Sequence, residues 1–159
     1  MLQFSKYQGL GNDFVLLEGR GGQLPLTITE PDPHWVRQLC DRRFGIGGDG
    51  LILALPPQHG EELRMRIFNA DGSEAEMCGN GIRCVAKYAF DHDIVSKKEI
   101  TAETGGWAFT GFGNAFSMRA TSFSPASTLP MAFASVRICP MSSAIVGATP
   151  MATVLIPAR

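Results

Sequence analysis

One stretch in the middle of the chain constrains its fold most. Residues Leu63 to Phe68 alternate between apolar and polar, which predicts a strand that delivers Asn69 at its end. After a turn, Cys78 is followed by two glycines that flank an asparagine, and apolar residues then recur at helical spacing from Ile82 to Phe90. Because a helix with one apolar face must bury it, this order predicts a helix covered by strands.

The rest of the N-terminal part is predicted to supply those strands. Short runs rich in apolar residues, separated by glycine and proline, predict strands at Leu2–Tyr7, Phe14–Glu18, Leu51–Leu55 and Lys98–Glu103. A second helix is expected from Asp32-Pro33 to about Arg42, because proline is favoured in a first helical turn. The sequence therefore predicts an α/β fold with a mixed sheet around a central, mostly apolar helix.

Cys78 is the strongest candidate for chemistry. It lies where the predicted central helix begins, and the amides and macrodipole of a helix N-terminus favour negative charge. A thiolate and a docked carboxylate are both favoured there, which indicates acid/base chemistry on an amino or hydroxy acid. Free cysteines are more often small buried residues, and we expect that structural role for Cys40 and Cys84.

Three loops offer further candidates, each with a structural alternative. The side-chain amide of Asn12 can donate to and accept from a substrate, or it can stabilise a tight turn. Asn69 is close enough in sequence to reach the pocket of Cys78, whereas Asp71 is more typical of a turn. The glycine loop Gly45–Gly50 lacks the residues of a phosphate-binding loop and is interpreted as a structural turn.

Composition narrows the classes of function. A net charge of −1 gives no electrostatic reason to expect a nucleic acid or a membrane surface as partner. No apolar run approaches the roughly 20 residues that span a bilayer, and the first residues lack a signal-peptide pattern. The four cysteines form no CxxC pair and the histidines are not clustered, so we expect no metal site and no disulfide framework. These features predict a cytoplasmic protein with reduced thiols.

The chain changes character near residue 104. All 15 acidic residues and all 3 histidines lie before residue 105, and the only charged side chains after it are Arg119, Arg137 and Arg159. We therefore predict a domain of residues 1–104 followed by a segment of residues 105–159 without an assigned fold. That segment is expected to be loosely packed or disordered, or to be an out-of-frame continuation of the gene.

Together, the motifs resemble the diaminopimelate epimerase family. The resemblance rests on Phe4 to Lys6 with Gly9 to Phe14, on Asp41 to Gly50 and on Phe68 to Cys84, and it extends to about Thr104. It implies a cofactor-free isomerase that interconverts LL- and meso-diaminopimelate on the route to lysine and peptidoglycan. It also implies a fold of two pseudo-symmetric α/β halves, each a sheet curled around a central helix, of which this chain carries the first.

The resemblance also implies roles for individual residues. Cys78 would be the catalytic thiol of the first half, and the residues around the substrate would be Asn12, Asn69, Gly79 and Asn80. The second catalytic cysteine of the family lies in a Gly-Cys-Gly-Thr-Gly type of loop that this sequence lacks, as it lacks the family's Glu-Arg substrate clamp. Cys139 has no glycine neighbours and is not expected to replace that cysteine. We therefore expect a truncated enzyme without its second acid/base group.

Three alternatives remain open at the level of sequence. The chain could be another isomerase of the same fold group, of the proline racemase or phenazine biosynthesis type. It could be a half-domain remnant without catalytic activity. It could also form a homodimer in which each copy contributes Cys78, although nothing in the sequence favours that arrangement.

Overall fold

The structure is a computed structural model that describes residues 2–21, 24–95, 99–105, 107–112, 115–122, 135–137 and 148–154. Within these residues the chain forms strands and three helices. The strands are β1 (Leu2–Gly9), β2 (Asn12–Glu18), β3 (Gly50–Leu55), β4 (Leu63–Asn69), β5 (Glu74–Ala75), β6 (Glu99–Glu103), β7 (Trp107–Phe112), β8 (Ala115–Ser122), β9 (Ser135–Arg137) and β10 (Ala148–Val154). The helices are α1 (Leu26–Thr29), α2 (Pro33–Cys40) and α3 (Gly79–Asp91).

The described strands form one mixed sheet. Its order is β10-β1-β2-β3-β4-β6-β7-β8-β9, and β5 pairs with β4 beside this path. The pairs β2–β3 and β4–β6 are parallel and the others are antiparallel. The predicted α/β fold with a mixed sheet is thereby confirmed. Strands β7 to β10 come from the part of the chain after residue 104, and the domain boundary proposed there stays a prediction.

The middle of the sheet is buried on both faces. Alternate residues of a strand point to opposite faces, so Ile52 and Ala54 pack beneath α3 whereas Leu51 and Leu53 pack on the side of α2. All six residues of β3 are buried, which explains why this strand has a continuous apolar run instead of alternation. Helix α3 contacts β1, β2, β3 and β4, and it is the central helix that the sequence predicts.

Both predicted helices are present, with shifted ends. Helix α2 ends at Cys40 because Asp41 adopts an extended conformation and its carboxylate accepts hydrogen bonds from the N–H groups of Arg43 and Phe44. In the loop that follows, Gly47 has a φ of +79°, and a Cβ at Gly45 would lie 2.1 Å from a backbone oxygen of α2. The loop is therefore a structural turn, as predicted, and its backbone requires glycine at these two positions.

Helix α3 begins three residues before the predicted start, at Gly79. Glycine is unfavourable inside a helix, so the sequence pattern alone predicts that α3 starts only at Ile82. Cys78 caps the helix, and the first turn packs closely on the sheet. In the described residues, no helix combines the length and the apolar character needed to cross a membrane.

Two glycines near the start of α3 give a matched test of this packing. A Cβ at Gly9 would lie 2.8 Å from the backbone oxygen of Asn80, whereas a Cβ at Gly79 would have nothing within 4 Å. We predict that Gly9→Ala lowers the free energy of unfolding by about 1–3 kcal/mol, because the helix must move off β1. Gly79→Ala should change it by less than about 0.5 kcal/mol. Urea denaturation of both variants measures the difference, and equal losses would contradict the described packing.

Candidate active site

Four strand ends and one helix end meet at a single edge of the sheet. Strand β1 ends at Gly9, which pairs with Asn12 at the start of β2. Strand β3 runs parallel to β2 and starts at Gly50, which pairs with Asn69 at the end of β4. The N-terminus of α3 lies at the same edge, since the Asn80 Nδ2 donates a hydrogen bond to the Asn12 Oδ1 at 2.8 Å.

Cys78 occupies the N-cap position of α3. Its backbone is extended (φ −143°, ψ 116°), and its Sγ accepts a hydrogen bond from the N–H of Gly81 at 3.4 Å. The side chain is half-buried, and no acidic residue lies in the first turn of the helix. The thiol thus takes the place that a serine or aspartate oxygen commonly has at an N-cap. The predicted position of Cys78 at a helix N-terminus is confirmed, and its catalytic role remains a prediction.

The backbone beside Cys78 is open. The N–H groups of the first helical turn have no acceptor within the helix, and the macrodipole adds partial positive charge there. Gly79 leaves space beyond its Cα, since a Cβ there would meet nothing within 4 Å apart from its chain neighbours and the backbone of α3. This end of α3 can therefore accept an anionic group of a small ligand next to the thiol.

Asn12 and Asn80 contact each other, and their role in binding a substrate stays a prediction. Besides accepting from Asn80, Asn12 donates through its Nδ2 to the Asp49 Oδ2 at 3.1 Å. Both asparagines are half-buried. Each side-chain amide forms one hydrogen bond through its nitrogen and has capacity for another, so each can still contact a ligand.

Asp49 belongs to a cluster of charged side chains that form ion pairs. Arg42 donates to Asp49 at 2.8 Å and to Asp13 at 2.6 Å, and Lys6 lies 2.8 Å from Asp13. The hydrogen bond from Arg42, with help from Lys6, lowers the pKa of Asp13 to about 2. Sequence reasoning assigned no role to these residues, although Arg42 and Asp49 lie within the motif that carries the resemblance.

Arg83 is a second residue that sequence reasoning missed. It lies on α3 with only 5% of its surface exposed, and its Nη1 is 3.5 Å from the Asn80 Oδ1. Among the described residues its Nε has no hydrogen-bond partner. The signal in the sequence was an arginine placed among the apolar positions of a helix expected to be central.

Asn69 lies at the same edge but is engaged locally. Its Nδ2 donates to the Ser73 Oγ at 3.0 Å, and its backbone forms a turn with Gly72 and Ser73. Asp71 accepts from the backbone and hydroxyl of Ser73, which agrees with its interpretation as a turn residue. The role of Asn69 in binding a substrate stays a prediction.

The other described cysteines are buried. Cys84 is 0% exposed and Cys40 is 4% exposed, which confirms their predicted structural role. Burial raises the pKa of Cys84 to about 12 and that of Cys40 to about 11. Cys139 lies outside the described residues. No group of three or more potential metal ligands from histidine, cysteine, aspartate and glutamate occurs in the part of the chain that the structure describes.

These differences predict selective alkylation. At pH 8, iodoacetamide should modify Cys78 at least about 100-fold faster than Cys40 or Cys84, because both buried thiols stay protonated and inaccessible. Mass spectrometry of proteolytic peptides follows each site separately, and the protein in urea serves as the control in which the rates converge. Modification of Cys84 as fast as Cys78 in the folded protein would contradict the described burial.

Comparison with known proteins gives a consistent result. The profile of the family described as diaminopimelate epimerase matches residues 4–107. A diaminopimelate epimerase of Prochlorococcus marinus is 68% identical over 91 residues, which cover 57% of this chain and 30% of that protein. The diaminopimelate epimerase of a Synechocystis species is 55% identical over 103 residues, covering 65% of this chain and 36% of that protein. The chain thus spans about a third of the length of these relatives.

Solved structures agree on the fold. A probable proline racemase from Agrobacterium radiobacter aligns with 75% of this chain and 41% of its own, with a TM-score of 0.56 and 18% identity. A phenazine biosynthesis protein of the PhzF family from Bacillus anthracis aligns with 74% of this chain and 40% of its own, with a TM-score of 0.56 and 17% identity. At such low identity these similarities show a shared fold alone. The match of the family profile to well over half of the chain decides the family, and the chain belongs to the diaminopimelate epimerase family.

Proposed function

We propose that this chain forms half of an epimerase site in which Cys78 acts as one acid/base group on diaminopimelate. The observation that carries the proposal is the place of the thiol, which caps α3 with its Sγ 3.4 Å from the N–H of Gly81 and remains partly exposed. Open space beside Gly79 lies next to it. Membership in the diaminopimelate epimerase family indicates the kind of substrate, which is a small amino acid.

The chemistry follows from that place. A thiolate at Cys78 takes the proton from the α-carbon of the substrate and becomes a thiol, while the electron pair of the C–H bond moves toward the substrate carboxylate. The amides of the first turn of α3 and the helix macrodipole stabilise the negative charge that develops there. The proposal needs no cofactor where this stabilisation is sufficient, and it assigns none.

The substrate contacts of the proposal come from the same edge of the sheet. The backbone at Gly79 and Asn80 takes the α-carboxylate, and the side-chain amides of Asn12 and Asn80 take other polar groups of the amino acid. Asn69 is the further proposed contact, and it would have to exchange its hydrogen bond with Ser73 for one with the substrate. We further propose that the protein acts in amino-acid biosynthesis in the cytoplasm, on the route to lysine.

Inversion needs a second group. The proton must return to the opposite face of the α-carbon, and the other described cysteines, Cys40 and Cys84, are buried. Neither of these thiols can therefore return the proton, and the proposal takes the opposite acid from outside the described residues. We propose that this chain alone exchanges the α-proton with retention of configuration, and that a second half supplies the acid for epimerisation. A second copy of this chain that contributes its own Cys78 is the alternative source.

Exchange in D₂O tests the proposal. We predict that the chain incorporates deuterium without inversion at the α-carbon of only one of the two epimers, LL- or meso-diaminopimelate, the one whose α-proton faces Cys78, and that Cys78→Ala abolishes the incorporation. Cys40→Ala is the matched control, since Cys40 packs on the other face of the sheet, and it should retain the rate. Mass spectrometry and chiral chromatography follow deuterium and configuration.

The other outcomes separate the alternatives. Equal exchange by Cys78→Ala would remove Cys78 from the mechanism. No exchange by a folded wild-type chain would contradict the proposed half reaction and favour a remnant without catalytic activity. Inversion whose specific rate rises with protein concentration would favour the homodimer over a separate second half.

A further inference from the structure

A chain of hydrogen bonds links two charged residues through the two asparagines of the proposed site. Arg83 donates to the Asn80 Oδ1 at 3.5 Å, and the Asn80 Nδ2 donates to the Asn12 Oδ1 at 2.8 Å. The Asn12 Nδ2 then donates to the Asp49 Oδ2 at 3.1 Å. We call these four residues the amide relay. It joins α3, the start of β2 and the loop before β3.

The charged ends decide the direction of every bond in the amide relay. A guanidinium can only donate and an ionised carboxylate can only accept, whereas an asparagine amide can be turned either way. With Arg83 at one end and Asp49 at the other, only one orientation of each amide satisfies all three bonds. A flipped Asn12 would point its oxygen at the carboxylate of Asp49, which is electrostatically unfavourable.

Asp49 is held in place independently of the asparagines, and Arg83 is restricted by its burial. The Asp49 carboxylate also accepts from Arg42 at 2.8 Å and from the N–H of Asp13 at 3.0 Å. Arg83 is 5% exposed, and in the described residues the structure places no carboxylate within salt-bridge distance of it. Burial of a cation without a counter-ion is costly, and such a group is commonly retained for function.

We propose that Arg83 and Asp49 are positioning residues that hold the amides of Asn80 and Asn12 in one orientation toward the substrate. The proposal rests on the proposed function for the identity of the ligand. In that orientation each amide presents its second N–H to an acceptor of the ligand, and its second oxygen lone pair to a donor. An amino acid offers both kinds of group, and a pre-set amide loses no free energy in turning to meet them.

Side-chain amide resonances test the positioning without any ligand. In ¹⁵N-labelled protein, the signals of Asn12 and Asn80 are assigned from the spectra of Asn12→Asp and Asn80→Asp. We expect Asp49→Asn, which keeps the shape of a side chain that is 36% exposed, to raise the water-exchange rate of the Asn12 amide protons at least about tenfold. Glu30→Gln is the matched control, because it removes one carboxylate charge from a partner of Arg66 outside the amide relay.

The opposite end of the relay needs its own variants. Arg83→Met should accelerate exchange of the Asn80 amide protons, and Arg83→Lys should restore slow exchange because it keeps a charged donor. A backbone spectrum like that of the wild type shows that each variant is folded. Unchanged exchange at Asn12 in Asp49→Asn overturns the proposal, even if Arg83→Met fails to fold.

Binding then connects the amide relay to the site. By calorimetry, Asp49→Asn should weaken binding of meso-diaminopimelate about tenfold, and Glu30→Gln should not change it. Equal affinity of Asp49→Asn and the wild type would overturn the positioning role. No binding by the wild type would contradict the proposed substrate, whereas the exchange rates would still decide whether Asp49 and Arg83 orient the amides.

Discussion

The close approach of helix α3 to the end of strand β1 is the contact on which the candidate site depends. A Cβ at Gly9 would lie 2.8 Å from the Asn80 backbone oxygen and 3.2 Å from the Cys84 Sγ, so only glycine permits this distance. On the other side of the first turn, a Cβ at Gly81 would lie 2.8 Å from a methyl carbon of Ile67. The first turn is thus seated between β1 and the middle of the sheet, and its N-terminus opens at the sheet edge. Cys78 is at the cap for that reason.

The candidate site consists of the N-terminus of α3 and the neutral side-chain amides of two asparagines. The charged side chains contact those amides from behind. Negative charge on a thiolate or carboxylate is favoured by the helix amides and macrodipole, which need no mobile counter-ion. The neighbouring asparagines supply hydrogen bonds, while Asp49 and Arg42 lie behind Asn12 and Arg83 lies behind Asn80. Such an arrangement lets an amino acid with both charge signs approach without a fixed ion pair competing for its groups.

Much of the fold follows from local patterns in the sequence, whereas the amide relay does not. The apolar run of β3 and the helical spacing after Cys78 predicted a sheet around a central helix, because burial of those residues dominates the energetics. The start of α3 was predicted too late, since packing and the Cys78 cap outweigh the low helix propensity of two glycines. Asn12 contacts Asp49 over 37 positions and Asn80 over 68, and no local pattern encodes contacts of that range. The burial of Arg83 likewise depends on tertiary packing, although its place among the apolar positions of the central helix was a signal in the sequence.

The proposed half site requires that Cys78 and the N-terminus of α3 form one binding site for an amino acid. Protection of the thiol tests this most directly: the rate of iodoacetamide modification at Cys78 is measured with increasing meso-diaminopimelate in the wild type and in Asn80→Ala. We expect saturating ligand to slow modification of wild-type Cys78 at least about tenfold, and Asn80→Ala to need a higher concentration for the same effect. If the modification rate of the folded wild-type chain does not change with ligand, Cys78 does not lie in a binding site for this amino acid.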